Sequence, residues 1–247
     1  MTVIDKTATS AFEDALWAEV EAGSVRNFQP FQAAMVAGEL TRDQLGMWAA
    51  QQYAIVRPFK SWLAGIHTNC TLESAEHHII ENMWEEMGFG EPGKDHPALF
   101  EKFADALGWP RERMAANVVA ETSAFVGYYS WATRCLPFEE SMALVGLVIE
   151  GNPRARGSIT TVETTESKRE LWEALSAEYN LTRDEVEFWE LHTSADVVHA
   201  QRSMEIIIDA APEAAQQERV ISRVREGFQV WGLKQAGIGR AIASVAE

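Results

Sequence analysis

Apolar residues recur at helical rather than strand spacing along most of the chain. The clearest case is Arg183–Ala211, a run without Gly or Pro that carries Val186, Trp189, Val198 and Met204. No segment alternates between apolar and polar residues for long, and no hairpin dipeptide joins two β-rich runs. The pattern therefore predicts an all-α protein.

Start and stop signals divide the chain into a bundle of seven to ten helices. Capping boxes at Thr41–Gln44 and Thr182–Glu185 open two long helices, and Pro58 interrupts the first of them. The predicted helices are Ser10–Ala22, Phe28–Val36, Gln44–Ile66, Thr71–Met87, Pro97–Leu107, Glu112–Arg134, Pro137–Glu150, Leu171–Tyr179, Arg183–Ala211 and a last helix from Pro212. We find no repeat or linker, so residues 1–247 are expected to form a single compact domain, with 1–9 as a loose N-terminal arm.

Composition limits the partners more than the fold. The 247 residues, 47% hydrophobic and 23% charged, suffice for one domain with a sizeable core. The net charge of -16 makes a nucleic acid or an anionic membrane an unfavourable partner. Cys70 and Cys135 are too few and too far apart for a disulfide framework. Without a signal peptide or an apolar run of ~18–20 residues, a cytoplasmic protein is expected.

Three metal-binding residue types share one face of the helix predicted over Arg183–Ala211. At about 100° per residue, Asp196 lies roughly 40° and His199 roughly 20° around the helix from His192. Two imidazoles and a carboxylate suit iron, manganese or zinc. The alternative is an amphipathic helix whose polar face happens to carry two histidines.

Further ligand candidates lie at helix ends. Glu150 closes the uncharged run Met142–Ile149, where it is either a helix-end carboxylate that reaches water or a buried ligand. His96 follows a loop rich in Gly and Pro and is either a helix cap or a ligand. Glu86 lies roughly 100° from Glu85 and could face inward. Glu85 itself is expected on an exposed face, and three other histidines are interpreted as structural: His67, His77 and His78.

Several common catalytic motifs are absent from the sequence. It contains no His-Glu-x-x-His and no Glu-x-x-His, which disfavours the common zinc hydrolases and ferritin-type bundles. It also lacks Gly-x-Ser-x-Gly, a P-loop and a dinucleotide-binding fingerprint. Cys135 has no activating neighbour beyond Arg134, so a cysteine nucleophile is not expected.

Taken in order, the candidate ligands resemble a known family. The sequence Glu-Glu-x-Gly, His-Pro, Glu, His-x3-Asp-x2-His on an all-helical chain is similar to the heme-oxygenase-like diiron oxidases and oxygenases, within the wider PqqC- and TenA-like group. The similarity spans roughly residues 28–210. The matching motifs are Glu85–Gly88, His96–Pro97, Glu150 and His192–His199. The resemblance implies a heme-oxygenase-like helical bundle and these metal ligands: Glu86, His96, Glu150, His192, Asp196 and His199.

The same resemblance implies a function. Two irons, or a manganese–iron pair, would react with O2 and oxidise a small substrate, with an amino acid or a related carboxylate as the expected class. The reaction would be N-oxygenation, desaturation or C–C cleavage in specialised-metabolite biosynthesis. A homodimer and an external electron donor are further implied. Two alternatives stay open, namely a metal-free PqqC-like oxidase of a cofactor precursor and a non-enzymatic interaction protein on the same scaffold.

Substrate contacts are harder to assign. Arg154 and Arg156 are candidates for a bidentate carboxylate clamp. Lys60 could hold a carboxylate or simply reach solvent, and Tyr128 could line the pocket or pack in the core. The predicted helix Gln44–Ile66 contains no Asp, Glu or His, so a seventh metal ligand from this helix is not expected.

Overall fold

The computed structural model describes the backbone of residues 6–151 and 170–245, and the side chains of these residues except 6–10 and 194–197. It contains no strand in these ranges, which confirms the all-α prediction. The helices are α1 (Lys6–Arg26), α2 (Pro30–Val36), α3 (Arg42–Thr68), α4 (Glu73–Glu86), α5 (His96–Ala106), α6 (Arg111–Ala116), α7 (Ala120–Cys135), α8 (Phe138–Ala143), α9 (Leu171–Tyr179), α10 (Glu187–Ala210) and α11 (Ala214–Ser244). A short 3-10 turn, Gly88–Gly90, follows α4, and a π-helical segment, Leu144–Ile149, continues α8.

The capping signals identify some helix starts well. Thr41 accepts a hydrogen bond from the backbone N–H of Gln44 at 3.2 Å, while the Gln44 side chain accepts one from the Thr41 N–H at 2.9 Å. The reciprocal bonds between Thr182 and Glu185 also form, at 2.7 and 3.3 Å. Here, however, the chain first makes a turn, and α10 begins only at Glu187.

Two boundary predictions are wrong. The expected long helix Glu112–Arg134 is two helices, because the Gln51 side chain binds the backbone between them. Its amide donates to the Asn117 carbonyl oxygen at 2.8 Å and accepts from the Val119 N–H at 3.0 Å. At the N-terminus, α1 begins at Lys6, so part of the expected loose arm is helical.

Helix α3 organises the interior. It packs against α4, α5, α6, α7 and α11, and its two halves belong to two separate hydrophobic clusters. Leu45, Trp48 and Tyr53 from its first half join a cluster with Phe100 and Phe103 of α5. Its second half joins the other cluster through Ile55, Phe59, Trp62, Leu63 and Ile66, which pack with residues of α1, α4, α7, α8, α10 and α11. None of the described helices has the length and apolar character to span a membrane.

Candidate metal centre

A cavity of about 160 Å³ lies between the two hydrophobic clusters. From α3, four residues at helical spacing form one wall: Gln52, Ile55, Val56 and Phe59. From α10, Phe188 and Trp189 begin the opposite set, and His192 and His199 continue it at intervals that keep them on the same face. The remaining lining residues are Glu85, Glu86, His96, Ile149, Glu150 and Trp231. The cavity is therefore apolar toward α3 and rich in ionisable groups elsewhere.

A tight loop brings Glu86 and His96 together. Glu86 is the last residue of α4 and His96 the first of α5. Between them, Gly88 has φ +62°, and a Cβ there would lie 2.3 Å from the Lys94 carbonyl carbon, so only glycine permits the chain to fold back this closely. Asp95 then caps α5 by accepting a hydrogen bond from the Ala98 N–H at 3.2 Å.

Glu86, His96 and His192 form a potential metal-binding group. Each offers one ligand atom, and these atoms all lie within 4.8 Å of one another. The His96 Nδ1 atom is 2.9 Å from Glu86 Oε1, yet it has no hydrogen-bond partner of suitable geometry among the described residues. Glu86 and His96 are 6% and 5% exposed, so both groups are shielded from solvent. A buried imidazole nitrogen beside a carboxylate, without a hydrogen bond of suitable geometry, is an arrangement that a metal ion would satisfy.

The π-helical segment determines where Glu150 lies. The Glu150 N–H donates to the Val145 carbonyl oxygen at 3.0 Å, five residues back, which is the hydrogen bond of a π-helix. A π-helix has more residues per turn than an α-helix, which changes the direction of the side chain that follows it. The Glu150 carboxylate therefore lies inside the protein at the end of an apolar run, and Glu150 is only 7% exposed. Asn82 of α4 fixes this carboxylate by donating to its Oε1 atom at 3.1 Å.

His199 joins the remaining carboxylates. Its Nδ1 atom is 3.4 Å from Glu150 Oε1, and its Nε2 atom is 3.3 Å from Glu85 Oε2. Burial acts to lower its pKa, but the two carboxylates prevail and raise the pKa of His199 to about 10. The hydrogen bond from His199 in turn lowers the pKa of Glu85. His199 is therefore protonated at neutral pH in this arrangement, and its single positive charge lies between the two carboxylates.

Burial is the main cause of the pKa shifts of two further groups, His192 and Glu86. Burial lowers the pKa of His192 to about 4, helped by nearby His96, so His192 is neutral at pH 7. Burial also raises the pKa of Glu86, although His96 opposes this effect. A neutral imidazole and a carboxylate whose charge lacks solvation are both stabilised by a cation placed between them.

Five of the six predicted metal ligands line this one cavity: Glu86, His96, Glu150, His192 and His199. Asp196 belongs to α10, but its side chain lies outside the described residues, so its role stays a prediction. Arg154 and Arg156 also lie outside the described residues, and the carboxylate clamp stays a prediction too.

The structure places the two remaining substrate candidates, Lys60 and Tyr128, away from the cavity lining. Lys60 is exposed, because it follows the cavity residue Phe59 by one position and projects about 100° away from it around α3. Tyr128 packs against Tyr129 and Trp131 of its own helix and lies beside Arg223 and Glu226 of α11, away from the cavity lining. Burial raises its pKa to about 12.

Sequence reasoning missed several residues of the site. Glu85 was expected on an exposed face, yet it lines the cavity and contacts His199. His78, interpreted as structural, is buried with its ring centroid 5.9 Å from that of His199. The helical spacing of His78, Asn82 and Glu86 would have indicated a shared inward face, whereas nothing in the sequence indicates that Trp231 closes the cavity from α11.

Comparison with known proteins identifies the family of this chain. Residues 47–232 match the family described as iron-containing redox enzymes. The chain belongs to this iron-containing redox enzyme family. One relative is the 4-aminobenzoate synthase of Nitrosomonas europaea, which is 28% identical over 79% of this chain and 78% of its own. The 4-aminobenzoate synthase of Chlamydia muridarum is 31% identical over a shorter stretch, 38% of this chain and 39% of its own.

Solved structures show the fold of this iron-containing redox enzyme to be heme-oxygenase-like. A TenA homologue from Pseudomonas syringae pathovar tomato superposes with a TM-score of 0.74 at 16% identity, covering 93% of both chains. A domain with a heme oxygenase-like fold from Shewanella denitrificans gives a TM-score of 0.67 at 14% identity, over 97% of this chain and 94% of its own. The predicted PqqC- and TenA-like bundle is thereby confirmed.

The donor set of the cavity fits the iron of this family. Imidazole nitrogens and carboxylate oxygens are the ligands that non-heme iron prefers. The orphaned Nδ1 atom of His96 gives the most direct sign, because a metal would satisfy its lone pair without a hydrogen-bond donor. Glu86 and His192 lie beside it, and the three ligand atoms are close enough to one another for a single ion.

Proposed function

We propose that the protein is a non-heme diiron oxidase or oxygenase that activates O2 to oxidise a small substrate. The observation that carries the proposal is the convergence of Glu86, His96 and His192 within 4.8 Å, with the buried Nδ1 atom of His96 left unpartnered. Glu150 and His199 adjoin this group and supply ligands for a second metal. Asp196 completes the set by its spacing on α10.

Each side chain has a distinct part in the proposed reaction. Glu86, His96 and His192 would hold one metal, and Glu150, which Asn82 fixes, and His199 would provide ligands for a second. A ligand imidazole must be neutral, so His199 would give up the proton that it shares with Glu85 and Glu150. When bound, the irons would supply the electrons and the O2-binding positions that the oxidation requires.

The apolar side of the cavity excludes water and limits which substrate shapes can fit. Aromatic rings from three helices line it: Phe59, Phe188, Trp189 and Trp231. Such a wall suits a planar ring or an apolar chain, and the ionisable side orients polar groups toward the metals. We propose an amino acid or a related carboxylate as substrate, oxidised by N-oxygenation, desaturation or C–C cleavage in a biosynthetic pathway.

The relatives suggest one specific reaction within this class. Two of them are named 4-aminobenzoate synthases, and 4-aminobenzoate is itself a small aromatic amino carboxylate. We propose its formation as the first reaction to assay. A homodimer, a cytoplasmic location and an external electron donor remain predictions, and so does the choice between two irons and a manganese–iron pair.

The decisive experiment combines iron binding with the O2 reaction. Metal-free protein is titrated anaerobically with Fe(II) and then mixed rapidly with O2 while visible absorption is followed. We expect about two irons per chain and a transient absorption band that substrate accelerates. Full oxidase activity after exhaustive chelation would instead support the metal-free alternative, and absence of iron binding with excess Fe(II) would refute the proposal.

A further inference from the structure

Lys234 of α11 is a buried amine without a hydrogen bond or an ion pair among the described residues. Its side chain is fully buried, and its Nζ atom forms no hydrogen bond with the described residues. Burial alone lowers the pKa of this amine to about 7. An amine that has left water without an ion pair or hydrogen bond costs stability, so an anion that reached it would gain a partner that is not already engaged.

The Lys234 amine contacts two aromatic rings, one of which lines the cavity. The Nζ atom lies 3.8 Å from the ring centroid of Trp231 and 4.9 Å from that of Phe125 in α7. Trp231 lines the cavity, whereas Phe125 belongs to the core behind it. Lys234 does not itself line the cavity, so the amine lies one ring thickness behind the wall that Trp231 forms.

The described cavity lining has several carboxylates and no lysine or arginine, so a bound carboxylate would need a cation from elsewhere. Glu85, Glu86 and Glu150 line the cavity, and none of the described lining residues is Lys or Arg. Metals would compensate these three carboxylates at their own side. A substrate carboxylate held away from the metals would still need a positive partner. Lys60 is on the surface, and His199 in the lining is already paired with Glu85 and Glu150.

We propose that Lys234 is the anchor for a substrate carboxylate, which its ammonium meets at the edge of Trp231. The word substrate in this inference rests on the proposed oxidase function, but the anion site itself does not. The ligand class is a small monoanionic carboxylate with an apolar or aromatic body that fits the ring-lined side of the cavity.

The local structure makes this contact physically reasonable. Re-aiming the Lys234 amine breaks no hydrogen bond and no ion pair with the described residues, because it has none. Its four-carbon stem rotates readily, and Trp231 is only half-buried. The two aromatic faces stabilise the charged amine until an anion arrives, since cations are attracted to aromatic faces.

The test compares an anion with its neutral analogue on the metal-free protein. Benzoate and benzamide are titrated by calorimetry into the wild type, Lys234→Met and the control Lys60→Met. Methionine preserves the apolar stem and removes the charge, whereas Lys60 is an exposed lysine on another helix. We expect benzoate to bind the wild type and Lys60→Met with equal affinity, and Lys234→Met at least tenfold more weakly. Benzamide affinity should be the same in all three.

Other results would overturn the inference. If Lys234→Met binds benzoate as tightly as the wild type, the carboxylate is held elsewhere. If the wild type does not prefer benzoate to benzamide, no cation meets the ligand. A crystal of the wild type with 4-bromobenzoate gives a test without any variant, because the carboxylate must lie within hydrogen-bond distance of Lys234 Nζ.

The two proposals fail separately. Because the titration uses metal-free protein, a Lys234-dependent preference for benzoate in a protein that binds no iron would refute the oxidase and leave the anion site standing. Normal iron binding without a Lys234-dependent preference for benzoate would refute the anion site and leave the oxidase proposal standing.

Discussion

The Nδ1 atom of His192 lies 2.7 Å from the carbonyl oxygen of Phe188, one turn earlier in α10. A carbonyl oxygen only accepts hydrogen bonds, so Nδ1 carries the proton and Nε2 carries the lone pair. Backbone carbonyls commonly orient metal-binding histidines in this way. The Phe188 ring also packs against the imidazole, with centroids 4.1 Å apart, so both the tautomer and the orientation of His192 are set before any metal binds.

Replacing His192 should therefore abolish metal binding rather than folding. We expect His192→Ala to weaken Fe(II) binding at least about 100-fold, because even the loss of an outer-shell partner costs 10–100-fold. Iron per chain, measured by a colorimetric chelator after desalting, checks this. His77→Ala is the matched control, since His77 is an exposed histidine on α4. Equal loading of the two variants would remove His192 from the ligand set.

The buried Glu86 carboxylate should destabilise the metal-free protein at neutral pH. Its pKa is raised by burial, so the folded state holds the proton more tightly than the unfolded chain does. This contribution to stability is present below the ordinary glutamate pKa and is lost as the pH rises through the raised value. Glu86→Gln should thus gain stability relative to the wild type as the pH rises from the acid range to neutrality.

Urea unfolding of metal-free protein at several pH values measures this difference. Exposed Glu81 on the same helix provides the control, and Glu81→Gln should follow the wild type at every pH. Glu86→Gln should also bind less iron although it is the more stable protein. A variant that is less stable than the wild type at neutral pH would contradict the assignment of Glu86 as a strained, metal-requiring carboxylate.

The loop between α4 and α5 offers a paired glycine test. Gly88 and Gly93 both have positive φ, +62° and +76°, but a Cβ at Gly93 would meet nothing within 4 Å. Gly93→Ala should cost only the left-handed backbone penalty of about 1–2 kcal/mol. Gly88→Ala adds a clash with the Lys94 backbone, so we expect it to cost roughly 3 kcal/mol or more and to reduce iron loading. Equal costs in urea unfolding would show that the close approach is unimportant.

Lys234 should leave a signature in the pH dependence of stability. Its pKa falls from 10.5 to about 7 on folding, so the wild type gains stability as the pH rises between these values. Burial is the only cause of this shift. Lys234→Met should be more stable than the wild type near pH 6–7, by up to roughly 5 kcal/mol at about 1.4 kcal/mol per pKa unit.

This advantage should shrink as the pH rises from 7 and should vanish above 10.5, where the wild-type amine is neutral in both states. Thermal unfolding of both proteins across this range provides the measurement, and other titrating groups cancel in the comparison. A constant difference between the two proteins would show that Lys234 is not buried as a costly cation.

The sequence predicted the helical bundle and the common face of His192 and His199 because both depend on local spacing. The interval of seven residues between His192 and His199 places them on one face whatever surrounds the helix. The other ligand candidates were implied by the family resemblance, and Glu85, expected on an exposed face, lines the cavity together with Glu86.

What the sequence could not indicate depends on tertiary contacts. The break between α6 and α7 comes from the Gln51 amide, 66 residues away from Asn117. The position of Glu150 depends on a π-helical hydrogen bond within an apolar run that has no sequence signal. From the sequence alone, Lys234 is indistinguishable from a surface lysine, because its burial results from the packing of α7 and α11 around it.

The central claim is that these side chains bind a pair of metals, and anomalous scattering at the iron edge tests it most directly. Crystals grown with Fe(II) under anaerobic conditions should show two peaks in the cavity. One should be bonded to Glu86, His96 and the Nε2 atom of His192, and the other should lie between Glu150 and His199. A single peak away from Glu86 and His192, or no peak in a fully formed cavity, would contradict the account.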